Sequence, residues 1–248
     1  MFDEYIEPDE RGFIGERLDE YLSLGFYRMR GALFTTHQVF FNRNENGHFF
    51  GPVFWLRTVL NSFSESTASK RIRKKCASFN VLFKPAEITN EIEDLFSIYK
   101  MAINFETYAS CRDCMLNKEA TINPFNSWMI EVWDEATLIA VGYFDIGVKA
   151  SMAILNFYHP HYKKHSLGKY LMLKTLDYCK QLKMHYYYPG YICTTDDKMD
   201  YKLFPDSSSI EVLMPIEKKW HPVLNYSKKD LDSYFFHKIL NIEDYEAF

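Results

Sequence analysis

The alternation of apolar and polar residues is most informative between residues 152 and 205. Residues 152–158 (MAILNFY) form an apolar run of strand-forming residues that Pro160 closes, which predicts a strand buried on both faces. Four apolar residues then recur at helical spacing, while the neighbouring lysines project elsewhere; the four are Leu167, Leu171, Tyr178 and Leu182. The pattern therefore predicts a buried strand followed by a helix that packs on a sheet.

The start of this helix and the strand that follows it carry residues with special backbone properties. Ser166 is predicted to cap the first N–H groups, and Gly168 lets a ligand approach the first turn, which makes that turn a potential anion site. An aromatic strand at residues 185–188 follows the helix. Pro189 and Gly190 must open or kink this strand, because proline lacks a ladder donor and glycine permits unusual dihedral angles. Strand, helix and opened strand are the core of the N-acetyltransferase-like (GNAT) fold.

Elsewhere the pattern predicts two more helices and several strands. The helices cover residues 16–24, which end at Gly25, and residues 88–105. The predicted strands are residues 26–41 (one or two strands), 128–133, 137–146, 150–158 and 210–214. Residues 218–248 are predicted to form a short strand or helix that wraps the sheet. These elements predict an α+β fold with a mixed sheet and flanking helices.

Composition and charge limit the classes of function. With 248 residues, of which 47% are hydrophobic, the chain can bury a large core and fits one domain or two small ones. A formal net charge of -4 argues against a generally basic nucleic-acid binder, so any RNA contact must come from a local patch. Residues 70–75 (KRIRKK) supply such a patch, for which a solvated charged face is the alternative.

The lack of a recognisable targeting signal and the odd number of cysteines predict a cytoplasmic protein. No apolar run reaches the roughly 20 residues of a membrane helix, and the chain begins with acidic residues where a signal peptide is basic. We therefore expect a cytoplasmic protein with no membrane partner. The five cysteines are an odd number without a secretory signal, which favours reduced thiols.

No metal or cofactor is predicted. Cys111 and Cys114 form a CxxC motif without a second pair at ligand spacing, so we interpret them as neighbours on a mobile loop. His37 and His48 lack a third ligand, because residues 35–60 contain no cysteine.

Four short motifs carry a family resemblance. They are Phe157-Tyr158-x-Pro160, Ser166-Leu167-Gly168, Tyr188-x-Gly190-Tyr191 and Met199-x-Tyr201-Lys202-x-x-Phe204. In this order and spacing they resemble the C-terminal domain of aminoacyl-tRNA–protein transferases, in particular the arginyl-transferase and bacterial aspartate/glutamate leucyl-transferase family. The likeness is strong over residues 139–205 and looser before them. It implies an enzyme that joins an amino acid from its tRNA to the α-amine of a protein's N-terminal residue, which marks that protein for degradation.

The resemblance also implies a domain division and shows departures from the family pattern. Residues 1–65 correspond to the N-terminal subdomain and residues 66–248 to a GNAT-like transferase domain. The metal-binding cysteines that the family carries are absent from residues 35–60, and Ile103-Asn104 stands where the family has Arg-His. Leucine and arginine both remain possible as the transferred amino acid, and an acidic N-terminal residue is a possible acceptor.

Two other functions are alternatives to aminoacyl transfer. Acetyl-CoA enzymes of the GNAT fold need several glycines or small residues where the loop meets the helix, so that consecutive N–H groups reach the pyrophosphate. Residues 163–170 (KKHSLGKY) offer one glycine and then bulky Tyr170, which disfavours an acyl-CoA N-acetyltransferase. The same turn could hold the 3′-terminal adenosine or a phosphate of charged tRNA. A non-catalytic RNA- or protein-binding relative is the second alternative.

The chemistry of the implied reaction selects candidate residues. An α-amine has a reference pKa near 8 and attacks the aminoacyl ester without a strong base, so orientation and donors to the oxyanion matter most. An N–H freed at Pro189-Gly190 and a phenol that protonates the ribose hydroxyl are expected to serve. The predicted catalytic residues are Tyr191, Tyr201 and Asp145, of which Asp145 has a turn-capping carboxylate as its alternative. The predicted substrate-binding residues are Tyr158, Ser166, Gly168, Tyr188, Gly190, Lys202 and Arg28. The predicted tRNA-binding residues are Lys70, Arg71, Arg73, Lys74, Lys163, Lys164 and Lys169, and no DNA partner is expected.

Overall fold

The computed structural model describes residues 4–42, 48–116 and 122–242. Its strands are β1 (Glu4–Ile6), β2 (Tyr27–Met29), β3 (Ala32–Thr35), β4 (Gln38–Asn42), β5 (His48–Val59), β6 (Asn80–Pro85), β7 (Ser127–Asp134), β8 (Thr137–Ile146), β9 (Ala150–Tyr158), β10 (Tyr186–Cys193), β11 (Ile210–Met214) and β12 (Lys219–Pro222). Its α-helices are α1 (Glu16–Ser23), α2 (Thr67–Lys75), α3 (Asn90–Ala102), α4 (Cys111–Met115), α5 (Leu167–Gln181) and α6 (Lys228–Tyr234). Two 3-10 helices bear on the site, Pro160–His165 and Asp197–Leu203.

A large mixed sheet forms the centre of the molecule. Within the described residues it has nine strands in the order β12-β11-β5-β10-β9-β8-β7-β6, with β4 paired to β5 beside this path. The pairing of β9 with β10 is parallel, and the other pairings described in this sheet are antiparallel. Strands β1, β3 and β2 form a separate small sheet. The predicted α+β class with a mixed sheet and flanking helices is confirmed.

Helices cover both faces of the large sheet. The apolar side of α5 packs with Ile72 of α2 against inward-facing residues of β7 and β8 such as Ile130 and Phe144. On the opposite face, α3 packs through Phe96 onto Tyr143 and neighbouring residues of β7, β8 and β9. Alternate residues of these strands therefore point into two separate cores, as the pleat of a strand requires.

Helix α1 attaches to the loop between β8 and β9. One carboxylate oxygen of Asp19 accepts hydrogen bonds from the backbone N–H groups of Val148 and Lys149, at 3.1 and 2.8 Å. Leu18 and Leu22 of α1 pack in the same core as Met152. The N-terminal elements are thus fixed to the beginning of β9.

The strongly periodic predictions are confirmed. Helix α1 and the meander of β7, β8 and β9 lie within about two residues of their predicted bounds, and α5 forms where it is predicted. Helix α3 begins two residues later and ends three residues earlier than predicted. Strand β5 was not predicted, and it lies between β11 and β10 in the large sheet. The domain boundary at residue 65 stays a prediction. Residues 243–248, included in the prediction of a C-terminal strand or helix, lie outside the described residues. Within the described ranges, each helix is too short or too polar to cross a lipid bilayer.

Candidate functional site

Strands β9 and β10 start as neighbours and then separate. Both strands lie wholly within the described residues, and their register pairs residues 150–152 with residues 186–188. Beyond this point β9 continues to Tyr158 and β10 to Cys193, and the register of β10 against β5 shifts between Tyr187 and Gly190. We name the opening between residues 153–158 of β9 and residues 189–193 of β10 the strand gap. The predicted opening of the aromatic strand is confirmed.

Pro189 and Gly190 explain the separation of the two strands. Proline has no N–H group for the ladder, and Gly190 adopts φ +108°, a conformation that is costly for residues with a Cβ atom. A Cβ atom at residue 190 would also lie 3.2 Å from Nζ of Lys202. Glycine at this position therefore provides both the bend and the space for the lysine.

Lys202 reaches the strand gap from the 3-10 helix Asp197–Leu203. Its Nζ atom donates a hydrogen bond to the backbone carbonyl of Tyr191 at 2.9 Å and lies 4.5 Å from the centre of the Tyr191 ring. Burial lowers the pKa of the Lys202 ammonium to about 8, although the neighbouring Cys193 thiol opposes this shift. The group is therefore charged at neutral pH but loses its proton far more readily than an exposed lysine.

Two predicted tyrosines lie beside Lys202. The centre of the Tyr201 ring is 5.8 Å from Nζ of Lys202, and the Tyr201 side chain is 50% exposed. Desolvation nevertheless raises the pKa of the Tyr201 hydroxyl, a combination typical of a concave surface. Burial raises the pKa of Tyr191 to about 12, with further increases from Cys193, Tyr201 and Tyr108. The structure thus brings Tyr191, Tyr201, Gly190 and Lys202 together.

The start of helix α5 lies at the open end of the strand gap. A Cβ atom at Gly168 would be 3.7 Å from the ring of Tyr158, the last residue of β9. The ring of Tyr158 in turn packs at a tilt against that of Tyr99 of α3, with 5.7 Å between the ring centres. Tyr158 and Gly168 therefore lie at the place that the sequence predicts for a bound ligand.

Ser166 does not cap helix α5 in the predicted way. It adopts φ 57° and ψ 45°, and in the part of the chain that the structure describes its side chain makes no capping hydrogen bond. A capping side chain requires an extended backbone, which the left-handed conformation excludes. The predicted cap is wrong, while the role of Ser166 in substrate binding stays a prediction.

Arg28 and Asp145 form a buried ion pair. Nη1 of Arg28 lies 2.8 and 2.9 Å from the two carboxylate oxygens, and the Ser127 hydroxyl donates to the same carboxylate. The guanidinium also donates to the carbonyl of Met115 and lies over the ring of Phe125. The two charged side chains are 1% and 0% exposed. Neither can contact a substrate, so the catalytic prediction for Asp145 and the binding prediction for Arg28 are corrected to a structural role.

Tyr188 also differs from its prediction. Its side chain is 3% exposed and packs edge-on against Trp220, at 5.6 Å between ring centres. The ring faces the core beneath helix α1, so it cannot bind a substrate. The backbone carbonyl of Tyr188, in contrast, borders the strand gap through a contact with Tyr27.

Tyr27 is a residue that the sequence analysis missed. Its hydroxyl donates to the carbonyl of Ala153 and lies 3.4 Å from the carbonyl of Tyr188, where β9 and β10 separate. Desolvation raises the pKa of this hydroxyl well above its usual value, with smaller increases from Tyr187, Tyr201 and other groups. Its only signal in the sequence was its position next to Arg28, which was predicted to bind the substrate.

Exposed cations gather near the start of helix α5. Nζ of Lys75 donates to the carbonyl of Lys164 at 3.3 Å, and Nδ1 of His165 lies 3.0 Å from the carbonyl of Lys75. These contacts join the end of α2 to the 3-10 helix before α5. We name the resulting surface the basic face, which comprises Lys70, Arg71, Lys74, Lys75, Lys163 and Lys164, all exposed.

Two of the predicted tRNA-binding residues, Arg73 and Lys169, lie outside the basic face. Arg73 makes a bidentate ion pair with Asp177 of α5, at 2.6 and 2.7 Å, and a second pair with Glu65. Its charge is therefore neutralised, and its prediction is corrected to a link between α2 and α5. Lys169 is exposed, with Nζ 5.0 Å from the centre of the Phe204 ring, so it lies on the side of α5 that faces the Lys202 segment.

The CxxC motif lies on helix α4 rather than on a mobile loop, which corrects that interpretation. Burial raises the pKa of Cys114 to about 12 and raises that of Cys111 still further, so both thiols stay protonated. The described ranges contain no cluster of three potential metal ligands, and the His48 side chain lies outside them.

The region that contains the strand gap matches a known protein family. Residues 91–208 match the family described as arginine-tRNA-protein transferase, C terminus. This range contains β9, α5, β10, Lys202 and hence the whole strand gap. The part of the chain that forms the site is thus similar to the C-terminal domain of arginine-tRNA-protein transferases, a class of aminoacyl-tRNA–protein transferase.

The relatives include named leucyltransferases. The aspartate/glutamate leucyltransferase of Leptospira interrogans (serovar copenhageni) is 24% identical over 180 residues, which cover 71% of this chain and 70% of that protein. The aspartate/glutamate leucyltransferase of Acinetobacter baylyi is 31% identical over 94 residues, or 38% of this chain and 33% of that protein. Among solved structures, L-PGS from Bacillus licheniformis shares 10% identity at a TM-score of 0.43, over 71% of this chain and 50% of that one. This chain therefore spans about half of that structure.

Proposed function

We propose that this protein transfers an amino acid, leucine or arginine, from its tRNA to the N-terminal α-amine of an acceptor protein. The observation that carries the proposal is the strand gap, where the Lys202 ammonium lies against Gly190 and beside Tyr201. The gap lies inside the residues that match the transferase family. The named leucyltransferases among the relatives favour leucine.

The chemistry assigns a role to each group of the gap. The acceptor nitrogen attacks the carbonyl carbon of the aminoacyl ester, and the carbon–oxygen bond to the tRNA ribose breaks. The attacking amine loses one proton, and the departing ribose oxygen takes one up. We assign stabilisation of the tetrahedral oxyanion to the Lys202 ammonium, because a fixed positive charge in a desolvated site is effective there. We assign proton transfer to the ribose oxygen to the half-exposed Tyr201 hydroxyl.

The open end of the strand gap suits the 3′ end of a tRNA. The first turn of an α-helix has N–H groups without an intrahelical partner, and these favour a phosphate. In α5 this turn adjoins Tyr158 through Gly168, and the basic face begins at the adjacent Lys163 and Lys164. We therefore propose that the terminal adenosine lies near Tyr158 and that the basic face contacts phosphates of the acceptor stem.

The same geometry supports the finer assignments of fold and cellular role. We propose that β9, α5 and β10 form a GNAT-like core, because a strand, a helix and a parallel strand that separates follow one another here. Residues 1–65 and 66–248 then correspond to the family's two regions, with β5 joined to the sheet of the second. Transfer to N-termini would place the protein in an N-degron pathway in the cytoplasm, where charged tRNA is available.

The basic face gives a prediction for tRNA binding. The double variant Lys74→Gln/Lys163→Gln should weaken binding of aminoacyl-tRNA and reduce the slope of log K against log salt by about 1.4 to 1.8, because each of the two phosphate contacts contributes about 0.7 to 0.9 to that slope. The control Lys219→Gln/Lys229→Gln changes the net charge equally on other elements and should leave the slope unchanged. Filter binding at several salt concentrations measures both, and equal slopes for the two double variants would exclude the basic face from the tRNA site.

A transfer assay tests the proposed function itself. The purified protein is incubated with labelled leucyl-tRNA or arginyl-tRNA and with a peptide that begins with Asp or Glu. The label should appear on the peptide with one of the two tRNAs, and an N-acetylated peptide of the same sequence should stay unlabelled because it has no free α-amine. Absence of labelling with both tRNAs, together with thermal stabilisation by CoA, would favour an acyl-CoA N-acetyltransferase instead.

A further inference from the structure

Tyr27 lies at the point where the two strands of the gap separate. Ala153, whose carbonyl accepts its hydrogen bond, is the first residue of β9 beyond the paired register. Tyr188, whose carbonyl is 3.4 Å from the same hydroxyl, is the last paired residue of β10. The phenol therefore stands at the fork of the two strands.

Backbone groups at such a fork need a new partner. A buried carbonyl that loses its ladder bond is costly unless another donor reaches it. The Tyr27 hydroxyl supplies this donor. It comes from β2, outside the residues that match the transferase family, so a second region of the chain contributes to the gap.

A continuous series of contacts connects Tyr27 to Lys202. The ring of Tyr27 stacks on Trp55 of β5, with 5.3 Å between the ring centres and 23° between the planes. Trp55 packs edge-on against Tyr191 at 5.0 Å, and the Tyr191 carbonyl accepts the hydrogen bond from Lys202. Tyr27 and Lys202 are thus linked through Trp55 and Tyr191.

We propose that Tyr27 is a positioning residue of the transferase site, which holds β9 and β10 apart and fixes the Lys202 ammonium. This proposal rests on the proposed function. It also means that the small N-terminal sheet completes the site, because β2 delivers Tyr27 to the fork. The Arg28–Asp145 ion pair, next in the chain, anchors β2 in this position.

The variant Tyr27→Phe tests the proposal because it removes the hydroxyl and keeps the stacked ring. In the transfer assay kcat should fall about tenfold, while the KM for aminoacyl-tRNA should stay within about twofold, since the basic face is untouched. The matched control is Tyr234→Phe, which removes a hydroxyl that bonds Glu217 at 2.6 Å and Ile216 at 3.2 Å on other elements. The control should leave both constants unchanged.

A second measurement does not depend on activity. Lysine labelled with ¹³C at Cε reports the pKa of Lys202 by NMR titration, with the signal assigned by its loss in Lys202→Arg. The groups that face this ammonium are the Tyr191 carbonyl and ring, the Tyr201 ring, the Met199 sulfur and the Cys193 thiol. Tyr27→Phe should raise the pKa of Lys202 by at least half a unit, because a loosened fork admits water.

The outcomes separate the two proposals. If the wild type transfers amino acids and Tyr27→Phe changes neither kcat nor the pKa of Lys202, the positioning role is overturned. If the wild type transfers nothing but Tyr27→Phe raises that pKa, the proposed function fails and the structural control of Lys202 by Tyr27 stands. Trp55→Phe interrupts the same series of contacts and should shift both measurements in the same direction. It replaces Tyr27→Phe if that variant does not fold.

Discussion

Replacing Lys202 by methionine is expected to lower kcat/KM for aminoacyl transfer by about a hundredfold or more, because loss of one oxyanion donor typically has an effect of this size. Methionine has a similar length and removes only the charge and the donor. The fold should remain intact, since a partly buried cation is replaced by an apolar group. Steady-state kinetics and circular dichroism measure the two effects. Lys198→Met, on the exposed side of the same 3-10 helix, is the matched control and should retain full activity.

The pH dependence of the transfer rate should reflect the titration of Lys202. Burial lowers the pKa of Lys202 from 10.5 to about 8, so the ammonium to which we assign stabilisation of the oxyanion loses its proton as the pH rises through 8. The acceptor α-amine, with a pKa near 8, becomes reactive over the same range. The wild-type rate should therefore reach a maximum near pH 8 and then decrease, whereas the residual rate of Lys202→Met should level off. Equal kinetics for the wild type and Lys202→Met would remove Lys202 from the site.

The lowered pKa also predicts how stability changes with pH. Between pH 8 and 10.5 the unfolded chain binds a proton at Lys202 that the folded protein has released. The contribution of this group to the free energy of unfolding must therefore increase as the pH rises through that window. Chemical denaturation of the wild type and Lys202→Met at several pH values isolates this contribution, because the other titrating groups are common to both proteins.

Replacing Asp145 by asparagine is expected to lower the free energy of unfolding by about 3 to 5 kcal/mol, because it leaves the Arg28 charge buried without its partner. The double variant Arg28→Met/Asp145→Leu should recover much of this loss, since neither charge remains. Denaturant unfolding with an unchanged m-value measures both. The control is Asp113→Asn, which breaks the pair with Arg30. Its side chains are 12% and 38% exposed, so a loss of at most about 1 kcal/mol is expected.

This prediction also decides between the two roles considered for Asp145. A structural carboxylate gives an unstable variant whose folded fraction still transfers amino acids. A variant of normal stability that has lost transfer would instead restore the catalytic role expected from the sequence. Transfer must therefore be measured below the unfolding transition and normalised to folded protein.

The features predicted correctly from the sequence depend on residues close together in the chain. The strand gap follows from Pro189 and Gly190, which act on their own strand, and α5 follows from the spacing of its leucines. The four motifs also selected Tyr201 and Lys202, which the structure places side by side. A motif can select residues in this way because it needs only their order along the chain, without knowledge of their contacts. Strand β5 was missed because Gly51 and Pro52 interrupt its run of strand-forming residues. It is nevertheless long enough to pair with three strands, β10, β11 and β4.

Partners that are distant in sequence could not be predicted. Arg28 and Asp145 are 117 positions apart, and Arg73 and Asp177 are 104 positions apart. Nothing in the local pattern distinguishes a charge that meets a substrate from one that meets an opposite charge in the folded chain. Tyr27 was missed for the same reason, since its partners on β9 and β10 are set by the docking of the small sheet.

The short parallel register of β9 with β10 divides the large sheet into two halves. One half consists of β12, β11, β5 and β10 with β4, and the other of β9, β8, β7 and β6. The seam between them spans three residues of each strand. A molecule that enters beyond the seam contacts both halves at once. It would therefore connect the two halves at the place where the backbone pairing between β9 and β10 stops.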